Sequence, residues 1–146
     1  MTAIAGIWSL NGGIPTASSC HEMLQALSIY GPDHRVQHDE VSFSMGLCLL
    51  RLLPEDCFDR QPLSADGVTA LIADVRLDNR EELARALGLS AERLATMADS
   101  EVLLLAWLRW REGCVDHLSG AFSFAAWNHQ EQHLFLARSG PRRLVA

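Results

Sequence analysis

The second residue of the chain could carry chemistry. Thr2 follows the initiator Met in the opening stretch MTAIAGIW. If the Met is removed, Thr2 presents a hydroxyl nucleophile together with a free α-amine that can act as its base. This residue type at this position therefore allows N-terminal-nucleophile hydrolysis of an amide. The alternative is that Thr2 is simply the first residue of a buried strand.

Composition and charge exclude several functional classes. The net charge is −6 and the pI is about 5.4, which argues against a surface for nucleic acid or for an anionic membrane. All twelve basic residues are Arg, and the chain contains no Lys. The absence of Lys excludes Schiff-base chemistry and a P-loop lysine, so we expect no cofactor and no ATP-phosphate machinery in this domain.

Neither the cysteines nor the histidines have the spacing of a metal site, and we expect none. His34 and His38 could share one strand, but no third ligand accompanies them. No apolar run approaches membrane-spanning length, and the N-terminus lacks the basic segment of a signal peptide. We therefore expect a cytoplasmic protein with reduced thiols. The residues concerned are Cys20, Cys48, Cys57, Cys114, His21, His34, His38, His117, His129 and His133.

Hydrophobic periodicity predicts both helices and strands. Strands are predicted at 2–10, 41–52, 68–75, 121–128 and 133–138, and helices at 17–29, 78–88 and 99–113. The last two strands are separated by the polar stretch HQEQ, which predicts a hairpin. Because the strands do not alternate regularly with helices, the order indicates an α+β fold or a layered sandwich. At 146 residues, the chain is expected to form one domain, 1–146.

Three local features carry more specific predictions. In the strand at 41–52, apolar residues alternate with Ser, Gly and Cys, which predicts a half-buried strand with one polar face. The stretch 54–67 is irregular and long enough to be a functional loop. Asp99 or Ser100 is placed to cap the helix that follows, and Gly113 is placed to end it.

Seven short stretches occur in the order and approximate spacing of a known family. Together they resemble the N-terminal class II glutamine amidotransferase domain of the asparagine synthetase family, and they span nearly the whole chain. The stretches are AGIW at 5–8, YGPD at 30–33, LLRLLPED…RQPL at 49–63, DVRLDNREEL at 74–83, DSEVLL at 99–104, LSGAFSFAAWN at 118–128 and LFLAR at 134–138.

The resemblance implies a four-layer αββα sandwich of two antiparallel sheets, the Ntn-hydrolase-like arrangement. It also implies a following synthetase domain that adenylates a carboxylate with ATP and Mg²⁺. Since the sequence stops at RSGPRRLVA, we expect either a fragment of such a protein or a single-domain relative. Its partners would then be its own C-terminal synthetase domain and a small-molecule or peptide substrate, and a homodimer stays open.

The residues that match the glutamine-hydrolysing site depart from the family pattern. Active members place Cys where this chain has Thr2, and Asn-Gly-Glu where it has Asp74, Val75 and Arg76. An ionised Asp74 would face the developing oxyanion with negative charge, whereas the Asn it replaces donates a hydrogen bond. Val75 restricts backbone angles that Gly allows, and Arg76 would place a positive charge near the α-ammonium of the substrate.

Two positions that bind glutamine in the family are retained. Arg51 matches the Arg that pairs with the substrate carboxylate, and Asp99 matches the Asp that receives the α-amine. Each has a structural alternative as well, and Arg51 could simply pair with Glu55 or Asp56. Asp99 is a natural residue for the start of a helix.

The resemblance therefore predicts a glutaminase-like domain whose own hydrolytic site is degenerate and which is inactive alone. DVRLDNREEL without an N-terminal Cys resembles the β-lactam synthetase and lasso-peptide cyclase branches, where a tethered nucleophile replaces ammonia. In that interpretation the domain is a scaffold for the synthetase half. Two alternatives stay open: a Thr2 amidohydrolase for an altered, acidic substrate read by Arg51 and Arg76, and a non-catalytic module that self-associates.

Overall fold

The computed structural model describes residues 2–11, 13–64 and 66–140. Ala65 of the predicted loop and residues 141–146 lie outside the described residues. The chain divides into two compact units, residues 1–52 and 53–146.

The first unit is a three-stranded antiparallel sheet with one helix. Its elements are β1 (Ala3–Trp8), α1 (Ala17–Leu27), β2 (His34–Asp39) and β3 (Phe43–Leu49). The strand order is β1-β3-β2, so the central strand is the last one in sequence. Helix α1 packs on this sheet through a cluster of Cys20, Leu24 and Cys48.

The prediction that β3 is half-buried is wrong, because every residue from Phe43 to Leu49 is buried. The face of β3 that carries the small residues Ser44, Gly46 and Cys48 is covered by α1 and does not face solvent. A Cβ atom added at Gly46 would lie only 2.6 Å from the Leu24 side chain of α1. Ser44 forms a buried hydrogen bond of 2.8 Å between its hydroxyl and that of Thr16, just before the helix. Small residues therefore mark close helix packing at this strand.

The second unit is another three-stranded antiparallel sheet, in the order β4-β5-β6, with helices beside it. A 3₁₀ turn at Pro54–Phe58 precedes the first strand, and a second one at Arg111–His117 precedes the hairpin. The other elements are β4 (Thr69–Leu77), α2 (Arg80–Leu87), α3 (Ala91–Leu94), α4 (Asp99–Trp110), β5 (Gly120–Asn128) and β6 (His133–Ser139).

The core of this unit lies between α4 and one face of the sheet. Trp107 of α4 contacts Phe124 of β5 and Phe135 of β6, with ring centroids 6.2 and 5.1 Å apart. Leu103 and Phe124 in the same cluster are fully buried. Large aromatic side chains of this kind contribute much of the buried apolar area of a small domain.

Two antiparallel sheets with packed helices confirm the predicted α+β class. The hairpin of β5 and β6 is confirmed, and so is the end of α2 at Gly88, which adopts a positive φ of 71°. Helix α4 is shorter than predicted, because its regular α-helical part ends at Trp110 and the 3₁₀ turn follows. In the described ranges, none of the helices is both long and apolar enough to cross a membrane.

Candidate functional site

Strand β4 pairs with β5 along one edge, and groups from loops satisfy its other edge. Leu71 and Leu63 exchange two backbone hydrogen bonds of 2.8 and 2.9 Å. Two residues further along the strand, at Ala73, the side-chain amide of Gln61 takes the place of a paired residue. It donates from Nε2 to the Ala73 carbonyl at 2.9 Å and accepts from the Ala73 N–H. Gln61 thus extends the ladder with a side chain instead of backbone.

The same edge continues to Asp99. The N–H of Leu77 donates to Asp99 Oδ2 at 2.7 Å. Since alternate residues of a strand present their N–H groups to the same edge, Val75 belongs to this series, between Ala73 and Leu77. Gln61 and Asp99 therefore flank the backbone of Val75.

The three positions that replace Asn-Gly-Glu lie on β4 with alternating directions. Asp74 is buried and pairs across the strands with buried Ser123. Val75 points to the opposite face, where it packs against the core clusters of the unit. Arg76 shares the face of Asp74 but is exposed, and its Nε lies 3.2 Å from Asp78 Oδ1. The side chain of Val75 therefore contributes to the packing of the core.

Asp99 is a buried carboxylate bound by groups of its own chain. It is 4% exposed, and Arg80 Nη1 donates to its Oδ1 while Leu77 binds its Oδ2. Arg80 Nη2 also donates to the carbonyls of Leu94, at 2.7 Å, and of Met97. Burial raises the pKa of Asp99 above its ordinary value, although the hydrogen bonds from Leu77 and Arg80 and the charge of Arg80 act in the lowering direction. Each oxygen of Asp99 thus accepts a hydrogen bond from its own chain.

The prediction that Asp99 or Ser100 caps α4 is wrong. The N-cap residue is Ala98, and Asp99 is the first residue of the helix. Its carboxylate leaves the helix end and crosses to Leu77 and Arg80 instead. The helix start therefore positions Asp99 for a tertiary contact.

Thr2 and Arg51, the other two candidates, belong to the first unit. Thr2 is 8% exposed, and its hydroxyl accepts a hydrogen bond of 3.2 Å from the Leu50 N–H. The backbone N–H of Arg51 donates to Asp33 Oδ2 at 2.8 Å, which joins the LLRLL stretch to the YGPD stretch. Within the second unit, Asp99 binds the backbone of Leu77, the residue that follows Arg76 on the strand carrying Asp74 and Val75.

Sequence reasoning missed Arg80 and Gln61. A signal for Arg80 existed, because it is the first residue of α2, and the N-terminal end of a helix disfavours a cation. An anionic partner from elsewhere in the fold would offset this effect. Gln61 carries no such signal, since one amide before a proline is compatible with any loop.

In the part of the chain that the structure describes, no three His, Cys, Asp or Glu side chains are placed to hold a metal ion. The site residues are instead hydrogen-bonding and charged groups on one strand and two helix starts. They lie along the outer edge of β4 and at the starts of α2 and α4.

Comparison with known proteins gives the class of domain to which this α+β fold belongs. The family model of the glutamine amidotransferase domain matches residues 1–141, and the chain belongs to this family. It is 39% identical over 82 residues to asparagine synthetase [glutamine-hydrolyzing] 3 of Bacillus subtilis (strain 168), an alignment that covers 54% of this chain and 13% of that protein.

A second relative aligns with nearly all of the chain. Asparagine synthetase [glutamine-hydrolyzing] 2 of the same organism is 29% identical over 145 residues, which covers 94% of this chain and 19% of the relative. The chain thus spans less than a fifth of the length of either relative. The family relationship to asparagine synthetases rests on both alignments and on the family model.

Proposed function

We propose that this chain is the glutaminase-like domain of an asparagine-synthetase-related, ATP-dependent ligase and that its own glutamine-hydrolysing site is degenerate. The observation that carries the proposal is the occupation of Asp99 by Arg80. By resemblance, this carboxylate should receive the α-ammonium of glutamine. An ammonium bound to Asp99 would compete with Arg80, which is itself only 17% exposed and bonded to two carbonyls.

Displacing a buried ion-pair partner is costly. Removing one member of a buried pair typically costs about 3–5 kcal/mol, because the other charge stays buried without compensation. The ammonium of glutamine would recover part of this cost at Asp99, but Arg80 would still lose its carboxylate partner. The internal pair therefore competes directly with substrate.

The buried position of Asp74 also disfavours hydrolysis. In its ionised form a carboxylate only accepts hydrogen bonds, whereas the oxyanion of an amide hydrolysis needs donors. Loss of one proper oxyanion donor typically lowers kcat by about 10²–10³. The replacement of Asn by Asp also adds charge repulsion at the same place.

A domain without hydrolytic chemistry serves as a scaffold in this proposal. It would pack on a synthetase half that binds ATP and Mg²⁺ and forms an amide with a tethered nucleophile. That is the arrangement of the β-lactam synthetase and lasso-peptide cyclase branches, which the stretch DVRLDNREEL resembles. The ligase activity, its substrates and the cytoplasmic location all belong to the proposal.

The test is a glutaminase assay on protein whose N-terminus is shown by mass spectrometry to be Thr2. We expect glutamate release no faster than from the matched Thr2→Ala variant. The restored variant T2C/D74N/V75G/R76E should raise kcat by roughly 10² or more. Its KM should stay high, because Arg80 still occupies Asp99. Thr2-dependent hydrolysis of glutamine by the wild-type protein would overturn the proposal.

A second candidate function is favoured by the setting of Thr2. Its hydroxyl is buried and held by the Leu50 N–H, as a positioned nucleophile would be. The chain would then be an N-terminal-nucleophile amidohydrolase for an altered, acidic amide. Blocking the α-amine with a retained Met should abolish hydrolysis of such amides, and an unchanged rate would exclude Thr2.

A further inference from the structure

The second unit contains a cleft that is lined in part by Arg80. Its volume is about 740 Å³, within the range of small-molecule sites. The Pro54–Phe58 turn, helix α2 and the segment 89–95 form its walls. None of Asp74, Val75, Arg76 and Asp99 lines it.

The cleft carries one net negative charge once the ion pair of Arg80 is set aside. Its charged residues are Glu55, Arg80, Glu81 and Arg85. The charge of Arg80 is neutralised by Asp99. Glu81 and Arg85 are four residues apart on α2, and among the described residues neither forms an ion pair within 4 Å. Two carboxylates and one guanidinium therefore stay available.

The walls between these charges are apolar. Phe58, Leu89 and Leu94 are half-buried and Ala84 is buried, and all four line the cleft. A ligand that covers them needs an aliphatic stem several carbon atoms long, since burying apolar surface is the main non-directional contribution to binding. The apolar walls and the charges together favour a ligand with an aliphatic chain and charged groups.

We propose that this cleft binds a free basic α-amino acid. Its aliphatic stem would cover the walls formed by Phe58, Leu89 and Leu94. Its α-carboxylate would pair with Arg85, and its two cationic groups would pair with Glu55 and Glu81. A basic amino acid carries one net positive charge, which matches the net charge left in the cleft. This inference does not depend on whether the domain hydrolyses glutamine.

Cys57 provides a direct measure of occupancy. It lines the cleft and is exposed, whereas Cys20, Cys48 and Cys114 are fully buried. Alkylation of Cys57 by iodoacetamide, followed by mass spectrometry, should slow several-fold at saturating L-arginine or L-lysine. L-Norleucine has the stem without the cationic head, and L-glutamate has the opposite net charge, so both should protect much less. Agmatine lacks the carboxylate and should protect less than L-arginine.

Matched variants test the assigned contacts. Glu81→Gln and Arg85→Gln should each weaken L-arginine binding about tenfold, which corresponds to the loss of roughly 1.4 kcal/mol. Glu82→Gln is the control, because Glu82 lies on the same helix and lines a different cavity. It should leave the affinity unchanged. Circular dichroism of each variant checks that the fold is retained.

Calorimetric titration of the Cys57→Ser variant with L-arginine gives a second measurement that needs no thiol. Heat of binding there, together with protection in the wild type, supports the proposal. Equal protection by L-norleucine and L-arginine would overturn it, since the cleft would then be only an apolar surface. Equal effects of Glu81→Gln and Glu82→Gln, or no binding in either assay, would also overturn it.

Discussion

Arg80 shows how tertiary structure can satisfy a charge in an unfavourable local position. As the first residue of α2 it lies at the positive end of the helix dipole. Asp99, at the start of α4, supplies the compensating charge. The carbonyls of Leu94 and Met97 accept hydrogen bonds from the other terminal nitrogen of the Arg80 guanidinium. At this scale, one guanidinium ties two helix starts and the segment between α3 and α4 together.

This role predicts a large loss of stability on removal of the guanidinium. Arg80→Met should lower the free energy of unfolding by about 3–5 kcal/mol, because it leaves the Asp99 carboxylate buried without a cation. Arg80→Lys should recover only part of the loss, since an ammonium lacks the planar fork that reaches a carboxylate and two carbonyls. Urea unfolding followed by fluorescence measures both changes.

The matched control is Arg85→Met, on the exposed side of the same helix, which should change stability by no more than about 0.5 kcal/mol. The double variant R80M/D99N should be more stable than Arg80→Met, because it removes the uncompensated charge. An equal effect of Arg80→Met and Arg85→Met would show that the buried pair contributes nothing.

At the scale of elements, the outer edge of β4 depends on a loop. Gln61 occupies the position of a missing strand residue opposite Ala73, and Asp59 Oδ2 accepts a second hydrogen bond from its Nε2 at 2.9 Å. All three residues are buried. The geometry of the 59–63 segment is therefore coupled to that of the strand that carries Asp74 and Val75.

Gln61→Ala should destabilise the chain by about 1–3 kcal/mol, because the N–H and C=O of Ala73 are left buried without partners. The loss should be local enough to appear first as faster hydrogen exchange of the Ala73 amide, measured by NMR. Gln130→Ala, in the exposed turn between β5 and β6, serves as the control and should leave that amide unchanged. Unchanged exchange in Gln61→Ala would mean that backbone or water replaces the amide.

Most of the elements could be predicted because their signals are local, although the predicted elements include neither β2 nor the short helix α3. The hairpin of β5 and β6 and the end of α2 at Gly88 follow from periodicity and turn chemistry within a few residues. The burial of β3 could not be predicted, since Ser44 and Gly46 have the same appearance in a solvent-facing strand as under a closely packed helix. The Arg80–Asp99 pair joins positions nineteen residues apart, and no local pattern specifies such a partner.

At the scale of the whole molecule, a buried thiol in each unit makes the free energy of unfolding depend on pH. Cys20 lies in the core of the first unit and Cys114 in that of the second, and both are fully buried. Burial, followed by the nearby charges of Asp39 and Asp116, raises the pKa of each from an ordinary value of 9.0 to about 11. The neutral thiol is thus the form that the folded state prefers.

The sign of the pH dependence follows from this preference. Because the folded-state pKa is the higher one, the contribution of each thiol is complete below pH 9 and is lost as the pH rises from 9 to 11. The loss should reach roughly 2 kcal/mol for each thiol at pH 11. Urea unfolding between pH 8 and 11 should show a shallower decline for Cys20→Ala and for Cys114→Ala than for the wild type. Cys57→Ala, which removes the exposed thiol, should follow the wild-type decline, and the same decline in all four proteins would show that burial does not hold these thiols neutral.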